Sequence, residues 1–389
     1  MITPERRKLA SNTDKRLMER FAMVQFVSSG FILTLLLGIC IHAEAQSNWQ
    51  QEWARVQELG RKEGKVVVNI PPSAELRKAL EETFPKRFGI AIELSLGQGA
   101  TVARKAAEEY KAGVRYFDVI TATYITASRS LLPLNAVEPM EPQWILPEVK
   151  DPKNWWGGHI WGDKSARYFY YPTAFMVDNL WYNTEQIKPE DVRSYDDLLN
   201  PKWKGKIGLF DPRLGGAGLA MCSYLWMTKG ESFLRKLVNQ DLLVGERRII
   251  GDALAKGKVS ITIGSTYYTF LPFIKAGLPV KSFPRIKEGT YATSGNGGPL
   301  MMKNAPHPNA AKVFVNWFLS KEGQQIYDKA FGNATRRLDV DTAWLKEFGV
   351  EAAKDSMTLE EYYKNELSSE EKIETVRLPA QELLGKLLP

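Results

Sequence analysis

The order of apolar runs between residues 65 and 122 is the feature that most constrains the fold of this chain. Short apolar runs (KVVVNI, IAIEL and FDVITAT) alternate with segments in which apolar residues recur every three or four positions. Runs of the first kind are typical of buried strands, and the second pattern indicates amphipathic helices. A strand–helix–strand–helix–strand order predicts an α/β fold with a parallel sheet and helices packed on it.

A second α/β unit is predicted further along the chain, over roughly residues 178–292. The runs KIGLF and VSITI are its strands, and the glycine-rich segment LGGAG opens one of its helices. A chain of 389 residues is long enough for two domain-sized cores. The tail from about Asp339 is polar and helical, and we expect it to pack on the first unit because its apolar face needs a partner.

The first 45 residues have the pattern of a secretory signal peptide. Basic residues precede the apolar run FILTLLLGICI, and the small residues of AEAQS follow it. This layout predicts export and cleavage after Ala45. The alternative is an uncleaved membrane anchor, although Gln25, Ser28 and Ser29 interrupt a span of about twenty apolar residues.

The charge and cysteine content of residues 46–389 narrow the classes of ligand. Removing the first 45 residues leaves 46 basic and 41 acidic residues, a net charge of +5. This small, scattered excess does not indicate nucleic-acid binding, but it is compatible with a small anionic ligand. Cys222 is the one cysteine of this part of the sequence, so no internal disulfide is expected.

Three blocks of sequence resemble the periplasmic solute-binding proteins of bacterial ABC importers, and the nearest subgroup contains the ferric-iron binders. The blocks are WARVQELGRKEGKVVVNI, LWYNTEQIKPEDVRSYDDLLNPKWKGKIGLFDP and APHPNAAKVFVNWFLSKEGQ. The resemblance implies the type 2 periplasmic binding protein fold, with two α/β lobes, a ligand cleft between them and two hinge-crossing strands. The matching crossings are AFMVDNLWYN and GGPLMM. The first lobe is then discontinuous, residues 46–177 with 293–389, and the second is 178–292.

The resemblance also implies a function. A protein of this kind is a periplasmic monomer that captures a small solute, closes around it and delivers it to an ABC permease in the inner membrane, without a cofactor or a catalytic residue. A periplasmic ligand sensor is the alternative. An enzyme on the same fold is less favoured because the sequence has no H-E-x-x-H, G-x-S-x-G or cysteine–histidine pair.

Two glycine-rich segments are candidate ligand sites because each follows a strand and opens a helix. Free backbone N–H groups and the positive end of the helix dipole favour anions there, although an ordinary tight turn is the alternative. Ligands of open α/β sheets lie beyond the carboxyl ends of strands, which favours the residues after the third strand as well. The candidates are Gly97, Gln98, Gly99, Thr101, Thr123, Tyr124, Gly215, Gly216, Ala217 and Arg213, a possible partner for a carboxylate or phosphonate.

The segment GSTYYTF follows the predicted strand VSITI and holds two adjacent tyrosines. In the ferric binders that this chain resembles, adjacent tyrosines in this region ligate iron, so the resemblance implies Tyr267 and Tyr268 as metal ligands, with Ser265 adding a hydroxyl. The family's histidine and carboxylate positions hold NIPPS and TATYI here, and His159 and His307 match neither. Transported ferric iron and a small organic or phosphonate-type anion both remain open, as does packing of the pair at the hinge.

Overall fold

The computed structural model describes residues 48–97, 99–178 and 180–388. The predicted signal peptide and Gln98 therefore lie outside the described residues. Contacts within the chain separate Met1–Arg55 from Val56–Pro389. The tertiary contacts described below lie within Val56–Pro389, which contains both α/β units. In the part of the chain that the structure describes, no helix is both long enough and apolar enough to cross a membrane.

The described strands and helices alternate through most of the chain. The strands are β1 (Lys65–Ile70), β2 (Ala91–Leu96), β3 (Val119–Ala122), β4 (Phe175–Val177), β5 (Leu180–Asn183), β6 (Ile207–Phe210), β7 (Leu243–Gly245), β8 (Ile261–Ile263), β9 (Val280–Ser282), β10 (Ala292–Thr293), β11 (Gly298–Met301) and β12 (Val350–Ala352). The helices are α1 (48–63), α2 (Ala74–Phe88), α3 (Gly99–Lys111), α4 (Tyr124–Leu131), α5 (Pro147–Lys150), α6 (Gly216–Val238), α7 (Arg247–Ala255), α8 (Tyr267–Lys275), α9 (Pro308–Leu319), α10 (Lys321–Phe331), α11 (Ala353–Ser356), α12 (Leu359–Asn365), α13 (Glu370–Lys372) and α14 (Leu378–Leu387).

The first sheet has the order β11-β3-β1-β2. Strand β1 is parallel to β2 and to β3, whereas β11 is antiparallel to β3. The connections from β1 to β2 and from β2 to β3 run through α2 and α3, as the sequence predicts. Ser73 caps α2 by accepting a hydrogen bond from the Leu76 amide at 3.1 Å, which satisfies one of the free N–H groups at the helix start.

The second sheet has the order β7-β6-β8-β5-β9. Strand β6 is parallel to both β7 and β8, and β5 is antiparallel to β8 and β9. Helices α6, α7 and α8 connect its strands. The predicted second α/β unit is therefore present. Its longest helix, α6, is broken at Gly230, where φ is +79°.

The two sheets are joined through a small third sheet, β10-β4-β12. Strand β4 pairs antiparallel with β10, where Ala292 lies opposite Met176. The prediction that GGPLMM is the second crossing strand is wrong, because this segment forms β11 inside the first sheet. Its backbone groups bond to β3 over four residues, and the strand that pairs with β4 is β10. The crossing is the shorter strand β10, a few residues earlier.

The C-terminal tail matches the prediction only in part. Tyr362 is buried with Ile160 and Ala174 of the first unit, as expected, but the last helix, α14, packs on α6 of the second unit. Leu384 and Leu388 are buried in the same core as Leu219 and Met221 of α6. The apolar face of α14 is buried there. No local pattern in the sequence shows whether such a face packs on the first or on the second α/β unit.

Close backbone approaches between glycines fix the start of α6 against the ends of β6 and β8. A Cβ atom at Gly218 would lie 2.2 Å from the Phe210 carbonyl oxygen. One at Gly264, where φ is +78°, would lie 2.7 Å from the Gly218 Cα. Atoms this close are excluded by van der Waals repulsion, so a residue with a side chain at either position forces the strand ends and the helix apart.

Replacing Gly218 by alanine should therefore destabilise the protein. We expect Gly218→Ala to lower the free energy of unfolding by about 1–3 kcal/mol, because the contact is with rigid backbone. Gly385→Ala in α14 is the matched control, since a Cβ there meets nothing within 4 Å, and a helical glycine-to-alanine change stabilises by up to about 1 kcal/mol. Urea unfolding measures both, and equal effects would contradict the packing argument.

Asp178, between β4 and β5, gives a second prediction for the hinge region. Burial raises its pKa to about 6, and Glu351 opposes ionisation further, while Arg285 favours it. The folded state keeps the proton up to about pH 6, whereas the unfolded chain loses it near 3.8. The contribution of this group to stability therefore falls as pH rises from about 4 to 6.

We expect Asp178→Asn to raise the free energy of unfolding by roughly 2–3 kcal/mol at pH 7.5 and to change it little at pH 4. Asp252→Asn, which alters an exposed pair with Lys256, should change it by less than about 0.5 kcal/mol at both pH values. Unfolding curves at the two pH values measure this, and an equal gain at pH 4 would show that the carboxylate charge is not the cause.

Candidate functional site

A cavity of about 400 Å³ lies between the two sheets, at the carboxyl ends of their parallel strands. The first turns of α3, α4, α6 and α8, and the first residue of α7, face it. Phe175, Val177 and Thr293 of the small third sheet form part of its wall. The cavity therefore receives the amino-terminal ends of five helices, which makes its wall rich in positive helix-dipole ends and N–H groups.

Most of the residues that the sequence predicts as ligand contacts line this cavity. They come from both glycine-rich segments, from the end of β3 and from α8. The lining includes Gly97, Gly99, Thr101, Thr123, Arg213, Gly215, Gly216, Ala217 and Tyr268. Tyr124, Ser265 and Tyr267 are not part of the lining.

The two tyrosines do not meet in the cavity. They are the first two residues of α8, so their side chains leave the helix about 100° apart. The Tyr267 ring packs on Phe348 with 4.4 Å between the ring centroids, and it also contacts Gly332. Burial raises its pKa above the usual range for tyrosine. The Tyr268 ring stacks on Phe331 at 4.5 Å and lines the cavity.

Tyr124 and Ser265 lie behind the cavity wall. The ring of Tyr124 packs against Phe169, and burial together with a hydrogen bond to Glu370 raises its pKa to about 12. Ser265 is 1% exposed, and its hydroxyl has no partner among the described residues. Both residues follow strands, but only a side chain on the cavity side of such a loop can reach a ligand.

The charge of the cavity wall is the feature that the sequence analysis largely missed. Among the described residues, the lining contains five arginines and no aspartate, glutamate, lysine or histidine. The five are Arg104 in α3, Arg129 in α4, Arg213, Arg247 and Arg377. Clusters of three or more metal-ligating His, Cys, Asp or Glu side chains are also absent from the part of the chain that the structure describes.

Arg213 is held by a carboxylate next to it. Its Nε and Nη2 atoms donate to the two oxygens of Asp211, each at 2.9 Å. Burial alone would raise the pKa of Asp211, but the hydrogen bonds from Arg213 outweigh it and lower the pKa. The charge that Arg213 brings to the cavity is thus already paired within the protein, which makes it less available to a ligand.

Arg247 has no such carboxylate partner. Its guanidinium lies between the rings of Phe210 and Tyr268, at 4.8 and 4.9 Å from the ring centroids. Burial lowers its pKa to about 10. Within the described residues no carboxylate comes within ion-pair distance of it. Arg247 follows β7, so the rule that ligands lie beyond the ends of parallel strands could have identified it from the sequence.

Arg377 reaches the cavity from the C-terminal tail. It is 6% exposed, and its Nη1 and Nη2 atoms donate to the Leu367 and Gly216 carbonyl oxygens at 3.2 and 3.1 Å. Its Nε has no partner among the described residues. No local signal in the sequence marks this residue, which lies more than 150 positions after Gly216 and ends the π-helical turn Ile373–Arg377.

Comparisons with known proteins agree with this geometry. The family profile described as "Bacterial extracellular solute-binding protein" matches residues 65–331. Iron uptake protein A2 of Synechocystis sp. is 27% identical over 166 residues, which cover 38% of this chain and 47% of that protein. This chain thus aligns with about half the length of that relative.

Solved structures share the fold at lower identity. Iron-bound HitA from Pseudomonas aeruginosa superposes with a TM-score of 0.60 at 19% identity, over 83% of this chain and 99% of HitA. AfuA from Actinobacillus pleuropneumoniae, solved with fructose-6-phosphate bound, gives a TM-score of 0.59 at 19% identity, over 83% of this chain and 97% of AfuA. The predicted two-lobed, type 2 periplasmic binding protein fold is confirmed.

The positions of the tyrosines predict the response to ferric ion. Because Tyr267 packs outside the cavity, the two phenols cannot both bind one iron ion there. When the protein is titrated with ferric nitrilotriacetate, we therefore expect no tyrosinate-to-iron absorption band that depends on both tyrosines. Visible spectroscopy of the unaltered protein, Tyr267→Phe and Tyr268→Phe measures this. A band that Tyr267→Phe and Tyr268→Phe each remove would show that the pair ligates iron after all.

Proposed function

This chain belongs to the bacterial extracellular solute-binding proteins, and we propose that it is the periplasmic substrate-binding component of an ABC importer for a small, multiply charged anion. The observation that carries this proposal is the cavity wall, where the described residues include five arginines and no acidic side chain. Guanidinium groups bind carboxylates and phosphates through paired, charge-assisted hydrogen bonds. Export through cleavage after Ala45 is part of the same proposal.

The electrostatics favour an anion over a bare metal ion. At an effective dielectric constant of 20, two unit charges 6 Å apart interact by roughly 3 kcal/mol. Several unpaired arginines therefore repel a trivalent cation strongly and attract an anion by a comparable amount. Ferric iron fits this wall only inside a chelate with a net negative charge.

The uncharged part of the wall suits a ligand with hydroxyl groups. Thr101, Thr123, Thr126, Asn296 and Asn333 supply donors and acceptors beside the arginines. A volume of about 400 Å³ is in the range of sites for small organic molecules. A sugar phosphate or a hydroxylated polycarboxylate combines these groups with two or more negative charges. The likeness to AfuA, solved with a sugar phosphate, supports the first class.

The geometry also supports transport by lobe closure. The wall receives Thr101 and Arg104 from the first α/β unit and Gly216 and Arg247 from the second. An anion that bonds to both sides favours the closed arrangement, and the paired strands β4 and β10 are the hinge about which it forms. A permease that docks the closed form then distinguishes loaded from empty protein.

An anionic ferric chelate is the second candidate ligand. The iron-related names of HitA and of the Synechocystis relative support it, as does the single phenol of Tyr268 in the cavity wall. Its net charge would satisfy the arginines in the same way as a phosphate would, so it differs from the first candidate in chemistry but not in charge.

Calorimetric titration of the protein purified after export tests the proposal. We expect saturable binding of fructose 6-phosphate, citrate or ferric citrate, and weaker binding at higher salt. Fructose should not bind, and ferric nitrilotriacetate should not transfer its iron to the protein. Tight binding of a neutral sugar, with no response to any of the anions, would overturn the assignment.

A pair of adjacent arginines provides the matched variants. Arg247→Gln should weaken binding of the best anion roughly tenfold to hundredfold, because a hydrogen bond to a charged group contributes about 1.5–3 kcal/mol. Arg248→Gln removes the same charge one residue later, from an exposed side chain outside the cavity, and should change the affinity less than about twofold. Equal effects would mean that only the overall charge matters.

A further inference from the structure

The C-terminal segment, Glu366–Leu388, crosses from the first α/β unit to the second beside the cavity. It lies beyond the residues 65–331 that the family profile matches. On the first unit, the Tyr171 hydroxyl donates to the Ser368 carbonyl at 2.9 Å, and the Glu370 amide donates to the Gly162 carbonyl at 2.7 Å. These bonds fasten the beginning of the segment.

The end of the segment is fastened to the second unit. Leu384 and Leu388 are buried in the core that contains Leu219 of α6. The side-chain amide of Gln381 donates to the Arg213 carbonyl at 3.1 Å. The segment is therefore a connection between the two units in addition to the small hinge sheet, and Arg377 lies at the point where it passes the cavity.

Arg377 is a buried cation without an ion-pair partner among the described residues, although the Glu366 carboxylate acts on it from a longer distance. Its two hydrogen bonds go to backbone carbonyls, which carry only partial charges, and its Nε has none. Among the described residues, no carboxylate lies within ion-pair distance of it. A buried charge without an ion-pair partner is costly, and a guanidinium on a cavity wall is suited to an anion that enters the cavity.

A second cation converges on the same residue. Arg377 donates to the Gly216 carbonyl, and the Nη2 atom of Arg247 lies 2.9 Å from the position that a Gly216 Cβ would occupy. Gly216 is the first residue of α6, whose positive dipole end adds to the two guanidinium charges. Like charges gathered in this way repel one another, and an anion bound between them relieves the repulsion.

We propose that Arg377, in the C-terminal segment, is a ligand-binding residue that binds a phosphate group of the ligand at the start of α6. This rests on the proposed function and deepens it, because it assigns one anionic group of the ligand to a residue outside the family-matched region. Binding of that group adds a further link between the C-terminal segment and the second unit, beside the bond from Arg377 to the Gly216 carbonyl.

Titration of the protein purified after export with fructose 6-phosphate and with inorganic phosphate tests this. Arg377→Gln should weaken both roughly tenfold to hundredfold, and Arg377→Lys should restore only part of the affinity, because lysine lacks the planar pair of donors. Lys386→Gln in α14 changes an exposed residue paired with Glu382, and should leave both affinities within about twofold.

Hydrogen exchange of residues 366–388 separates ligand contact from a structural role. Fructose 6-phosphate should slow exchange there in the unaltered protein and in Lys386→Gln, but not in Arg377→Gln. Normal affinity and normal protection in Arg377→Gln would overturn this inference and leave the proposed function intact. If the unaltered protein binds neither fructose 6-phosphate nor inorganic phosphate, this inference is wrong, and so is a phosphate as the ligand of the proposed function. Binding of citrate in that case would still support the proposed function of an importer component for anions.

Discussion

Uncompensated positive charge in the cavity is the constraint on which the rest of the site depends. Arg247 and Arg377 both lie against Gly216, and among the described residues neither guanidinium has a carboxylate within ion-pair distance. The fold tolerates this because the aromatic faces of Phe210 and Tyr268 and two backbone carbonyls partly replace water around the charges. What they do not replace is a counter-charge, and the protein leaves that to its ligand.

The backbone makes room for this arrangement. Glycines at 216, 218 and 264 allow the start of α6 to lie directly against the ends of β6 and β8, with no side chain between them. Free N–H groups of the helix start and the two guanidiniums can then approach one anion from different directions. Rigid placement of this kind lowers the entropic cost of binding, since few groups have to be ordered when the ligand enters.

Coupling between the two units has more than one route in this protein. The pairing of β4 with β10 is short and joins only Ala292 to Met176 and Thr293 to Phe175. The C-terminal segment adds a connection whose two ends are fixed by Ser368 on one unit and by Leu384 on the other. A ligand that bonds to Arg377 acts on this connection directly, so ligand occupancy and the relative position of the units depend on each other.

The sequence by itself determined the α/β class, the parallel strands, the glycine-rich helix starts and the family, because these follow from periodicity, turn chemistry and local blocks of residues. It also placed nine of the candidate residues on the cavity wall, because the carboxyl ends of parallel strands share one edge of a sheet. Tertiary structure alone decided that Tyr267 packs on Phe348, that GGPLMM stays in the first sheet and that Arg377 joins Gly216. These depend on which of several apolar or polar partners is nearest in space, and contacts between residues about eighty or more positions apart leave no periodic trace in the chain.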